Sequence, residues 1–159
     1  MCDKACEYFK RSFFSVDGLW FMMVEKALSF DKALDIDEKV WKVMPKIQSK
    51  KLKELYGIRG NTLQDLVAAL KIKFELEGYR TSIDNVGADQ VEMRILDCPW
   101  LDIMKKSDRP HLAAKVGERI CHVEFQGWAD SFDKGIRFSL NSQLCRGEEA
   151  CCLQFQLKR

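Results

Sequence analysis

The chain has 159 residues, 47% of them hydrophobic, and its 26 Lys and Arg nearly cancel 24 Asp and Glu to leave a net charge of +2. That length closes one hydrophobic core rather than two, and that charge supplies no large field for steering a nucleic acid. The amino end, MCDKACEYFKRSFFSVDG, carries acidic residues and no apolar run of signal-peptide length, so a cytoplasmic protein with neither membrane nor nucleic-acid partners is expected.

In chain order, Leu19 to Val24 reads LWFMMV, apolar on every side, which predicts a short helix packed within the core. Residues 29–57 follow with Phe30, Ala33, Leu34, Val40, Trp41, Met44, Ile47, Leu52 and Leu55 near helical spacing. Acidic Asp31, Asp35, Asp37 and Glu38 precede basic Lys46, Lys50, Lys51 and Lys53, the order the helix dipole favours. Pro45 should kink this helix or divide it. A further helix starts at NTLQD, with Thr62 as cap and Asp65 three residues on; its stripe is Leu63, Leu66, Val67, Leu70 and Phe74, and Gly78 stops it.

After Gly78 the period shortens. Residues 78–100 alternate around Val91, Met93 and Ile95 with a turn at Gly87, which predicts two antiparallel strands ended by Cys98-Pro99. GERICHVEFQGWADSF returns to helical spacing and puts Cys121, Glu124 and Trp128 on one side. A two-residue turn at Gly147-Glu148 would join the last two strands, setting Leu144 against Cys151, Ser142 against Leu153, Leu140 against Phe155 and Phe138 against Leu157. In that register Cys151 shares the apolar face while Cys145 and Cys152 take the other. The expected fold is therefore α+β in a single domain, residues 1–159: helices over 1–78 packed on an antiparallel sheet of about four strands over 79–159, with one inserted helix.

Seven cysteines in a reducing compartment are expected as free thiols, which serve as buried core, soft metal ligands or nucleophiles. No CxxC pair is present, and GxGxxG, GxxxxGK, HExxH and GxSxG patterns are also missing, which argues against zinc ribbons and the commonest dinucleotide, nucleotide, zinc-protease and serine-hydrolase sites. Basic KIQSKKLK has no interleaved aromatics and reads as a solvated helix end. Cys121 and Glu124, three residues apart on a helix, are the candidate catalytic pair. Cys-His chemistry would need the distant His111, because His122 lies on another side of that helix. Trp128 could stack on a ligand or fill the core.

The blocks VEMRILDCPW, ICHVEFQG and RGEEACCLQF occur in an order that resembles the 4-vinyl reductase domain and the L-2-amino-thiazoline-4-carboxylic acid hydrolase-like proteins. LWFMMVEKALSFDKALDIDEKVW looks like the amino-terminal part of uncharacterised prokaryotic proteins with such a tail. The resemblance puts Cys98 at a strand end, Cys121 in the following helix, and Gly147 and Cys151 in a final Gly-x-x-x-Cys hairpin. It implies a small-molecule-binding or sensing module lined by Cys98, Cys121 and Cys151, to which the helix spacing adds Glu124 and Trp128 as ligand residues. Three thiolates, Cys98, Cys121 and Cys151, would also suit a zinc-like ion with Glu124 as the hard ligand. Cys145 and Cys152 form the rival pair. The hydrolase-like pattern of Cys-x-x-Asp and Cys-Asp-Phe is replaced here by Cys121-x-x-Glu124 and Cys151-Cys152-Leu153, which counts against ring-opening hydrolysis. A thiol-dependent hydrolase of a small cyclic amide is the alternative expectation, and a helix-mediated interaction protein, forming a homodimer, is the second.

Overall fold

The computed structural model describes residues 4–158, apart from the side chain of Asn85. Three helices lead: α1 (Lys4–Ala27), α2 (Phe30–Tyr56) and α3 (Leu63–Glu77). Two of them carry the local signals that start and stop a helix. The Ser29 hydroxyl caps α2 by accepting from the Lys32 N–H, and Gly57 closes it at φ 69°. Thr62 and Asp65 form a reciprocal capping box at α3, and Gly78 at φ 81° ends it.

The chain then enters a four-stranded sheet, with β1 (Arg80–Val86), β2 (Gln90–Asp97), β3 (Ile136–Ser142) and β4 (Cys151–Leu157) in the order β1-β2-β4-β3, every pair antiparallel. Between β2 and β3 lies an insertion larger than expected: α4 (Pro99–Lys106), a 3-10 turn at Pro110–Leu112 and α5 (Ala113–Asp130). The fold is the α+β arrangement read from the sequence, N-terminal helices first and then an antiparallel sheet with inserted helix.

Layering follows from which faces are apolar. Val91, Met93 and Ile95 alternate inward along β2 and are buried with Leu153 and Phe155 of β4 under α3 and α5. Trp128, Phe74 and Phe155 anchor that core at 1% exposure or less, and burying each such side chain stabilises by roughly 2–3 kcal/mol. α2 packs on α5, and α1 packs on α2. A second, smaller cluster of Leu34, Trp41 and Ile120 joins these helices, with Phe21, Phe30 and Trp100 against it.

Four expectations change. LWFMMV is not a core helix: it lies inside α1, where Leu19, Trp20, Met22 and Met23 are 56%, 46%, 42% and 58% exposed, because α1 is covered along one side only and Phe14 is its buried residue. Pro45 does not divide α2, which runs unbroken past it; its ring packs on α5, 3.0 Å from where a Cβ on Gly127 would sit, so the glycine admits the ring. On α2, Val40, Ile47 and Leu55 are exposed; the buried stripe keeps the expected Ala33, Leu34, Trp41 and Leu52 and adds Asp37, Pro45 and Ser49. The last hairpin is also longer than two residues. Leu144–Arg146 forms a 3-10 turn closed by Gly147 at φ 88°, and the register is Phe138 to Phe155 and Leu140 to Leu153, two residues from the one expected.

Candidate functional site

Helices α1, α2, α4 and α5 and one end of the sheet enclose a cavity of about 180 Å³. A water-sized sphere takes on the order of 10–15 Å³ on that measure, so the space suits roughly a dozen non-hydrogen atoms. Its helical walls are aromatic and aliphatic: Phe21, Phe30, Trp41, Trp100, Val116 and Ile120. Trp100 meets Phe14 edge-on at 4.5 Å between ring centroids and Trp41 at 5.9 Å, which fixes that wall.

Four thiols join them in the lining. Cys98, at the end of β2 where α4 begins, Cys121 on α5 and Cys151 at the start of β4 all line the cavity, as does Glu124. The structure therefore brings together four of the five residues expected around a ligand. Trp128 is the exception; it is fully buried in the main core and does not line the cavity. The rival pair is split. Cys145 leaves the sheet in the 3-10 turn and reaches the cavity, while Cys152 stays on β4 between Arg94 and Ser142, outside it. Gly117 makes room for Cys145: a Cβ there would lie 2.7 Å from the Cys145 sulfur and 3.8 Å from that of Cys121. All five of these cysteines are free thiols; Cys6 is disulfide-bonded, which corrects the expectation of free thiols throughout, and Cys2 lies outside the described residues.

Burial decides the state of these sulfurs. It pushes Cys98 up to about 11 against the backbone N–H groups of Leu101 and Trp100, and Cys151 up to about 12 against the Leu144 N–H, which donates to its sulfur at 3.3 Å. Cys121 is raised well above its ordinary value by burial and by neighbouring Cys98 and Glu124, and burial raises Cys145 too. They are thiols, not thiolates, near neutral pH. The expected zinc-like set of Cys98, Cys121 and Cys151 is corrected accordingly: among the described residues no group of three His, Cys, Asp or Glu could hold a metal ion.

Glu124 is committed elsewhere. Its Oε1 lies 2.9 Å from the ammonium of Lys73, which also meets Glu77 at 2.6 Å, and Gln48 donates to Glu77 at 3.2 Å. Burial opposes the Lys73 charge, but the two carboxylates outweigh it and hold the ammonium above its ordinary range; burial raises Glu124 despite Lys73. Lys73 was missed by the sequence reading although its place, three residues after Leu70 and seven after Leu66, lies on the buried stripe of α3. Asp17 and Asp37 were missed as site residues too, because a carboxylate on a charged helix reads as solvated. Both line the cavity; burial raises Asp17 to about 6, and burial together with the Asp17 charge raises Asp37 to about 7, against a hydrogen bond with the Trp41 side chain.

Residues 4–155 match the model of a family of unknown function (DUF6125), and the chain belongs to that family. No curated protein matches it. Among solved structures it is similar to a trafficking protein particle complex subunit 3 from Naegleria fowleri covalently bound to palmitic acid, with a TM-score of 0.62 and 12% identity over 96% of this chain and 97% of that one. That likeness establishes a shared fold. Neither the family nor this neighbour carries the 4-vinyl reductase or the hydrolase-like name.

Proposed function

We propose that this member of the DUF6125 family is a small-molecule-binding module that holds a slender apolar chain in the cysteine-lined cavity. One observation carries the reading: the cavity is walled by aromatic, aliphatic and protonated thiol groups, and such a surface gains most by excluding water. The palmitic acid of the structural neighbour supports a ligand of acyl-chain shape. A thiol-hydrolase reading needs an ionised Cys121 with Glu124 free to move its proton; burial opposes the first and the Lys73 ion pair the second.

Native mass spectrometry of the freshly purified full chain, beside its denatured mass, and titration with 1-decanol test this. A retained apolar molecule or micromolar decanol binding is expected, reduced at least fivefold by Val116→Trp, which would fill the cavity from α5. Equal native and denatured masses together with no decanol binding would sink the reading.

The apolar outer face of α1 favours a second reading, self-association through the helices. Phe9, Val16, Trp20 and Met23 stand exposed there, as Val43 and Ile47 do on α2. Sedimentation velocity should give a mass above one chain at high concentration, returned to one chain by Trp20→Glu. A single-chain mass at every concentration would contradict it.

A further inference from the structure

Carboxylates that line the cavity bear on the chemistry of what could occupy it. Asp17 projects from α1 and Asp37 from α2, both line the cavity, and they lie close enough for the charge of one to act on the other. Asp37 is 6% exposed. Among the described residues neither aspartate is paired with a Lys, Arg or His; the hydrogen-bonding neighbour of Asp37 is the Trp41 side chain one turn on. The cations that could serve are already used. Arg109, which also lines the cavity, is 2.7 Å from Glu25, and Lys73 is shared between Glu77 and Glu124. Glu124 adds a third carboxylate to the lining, 4% exposed, and its Oε1 accepts no aligned hydrogen bond even beside Lys73. A buried carboxylate without a counter-charge is costly, and a cation supplied by a ligand removes that cost. Phe21 and Trp41 line the same space, and aromatic rings are the other kind of group that stabilises an ammonium.

Resting on the binding reading above and deepening it, we infer that the occupant is a cationic amphiphile: an apolar chain among the aromatic and thiol walls, ending in an amine received between Asp17 and Asp37. Both carboxyls are substantially ionised by about pH 8, while an alkylamine is still protonated, so the two charges meet in the site.

Decylamine, 1-decanol and decanoic acid share one chain length and differ in the head group, so their affinities for the full chain, measured by calorimetry at about pH 8, isolate that end. Decylamine should bind at least tenfold more tightly than decanol, and decanoate more weakly than either. In the Asp17→Asn/Asp37→Asn double variant the ratio of amine to alcohol affinity should fall to within about twofold, and Asp17→Asn alone should lower it part of the way. Should the double variant not fold, the single variant carries the same reading, because amine preference unchanged in it overturns the inference. Equal affinity for amine and alcohol in the native protein overturns the inference while leaving the binding module standing. If no probe of the three binds, the inference falls, and the binding module falls with it where native and denatured masses also agree.

Discussion

Replacing Lys73 with Met should lower the free energy of unfolding by roughly 3–5 kcal/mol, measured by urea denaturation at about pH 8. The ammonium is 2% exposed and is the cation shared by Glu124 at 2.9 Å and Glu77 at 2.6 Å. Methionine keeps most of the stem and removes the charge, so the loss reports the carboxylates left behind. Glu77 retains the Gln48 amide, but Glu124, 4% exposed, retains no counter-charge. Leucine at position 124 in the same background should recover most of the loss, since exchanging a whole buried ion pair for apolar groups is often near neutral. A single variant within about 1 kcal/mol of the native protein would show that Lys73 does not neutralise these groups.

Asp37→Asn should change how stability depends on pH. The folded-state value of Asp37 is raised to about 7 from 3.8, first by burial and then by Asp17. A group raised on folding contributes stability that is fully present below its unfolded value and lost as pH climbs through its folded one. The native chain should therefore weaken between about pH 4 and pH 8 by on the order of 3 kcal/mol more than Asp37→Asn, which has no proton to lose and can still accept from Trp41. Above about pH 8 the two curves should run parallel. Identical curves over the whole range would mean that Asp37 is solvated in the fold, and the amine site would lose its main support.

The aspartates show where sequence reading stops. On α2 the apolar pattern rightly included Ala33, Leu34, Trp41 and Leu52, but it also included Val40, Ile47 and Leu55, which are exposed, and left out Asp37 and Pro45, which face inward. A helix with apolar residues on several sides has more than one face it could bury, and the choice belongs to its partner. Here α5 makes it, because Gly127 offers Pro45 a place that no side chain fills. The opposite happened on α1, whose most hydrophobic segment is left outside for want of a covering layer. Of the residues that line the cavity, Cys98, Cys121, Glu124 and Cys151 were named from the sequence with Cys145 as one of the rival pair, whereas Asp17, Asp37 and the Lys73 partner of Glu124 were not.

What the sequence determined by itself was whatever is settled within a few residues. The Thr62–Asp65 box and Gly78 bound α3 because caps are local hydrogen bonds, and Val91, Met93 and Ile95 turn inward because a strand alternates with period two. The same period explains why a register wrong by two residues still placed Phe138, Leu140, Leu153 and Phe155 on one face. Only the tertiary structure decided that Cys145 leaves the sheet for the cavity, that a lysine is buried between two glutamates, and that two aspartates face an apolar space. Each depends on which distant element arrives beside the residue, and the free energy of burying a charge or a thiol is set by those neighbours rather than by the chain on either side.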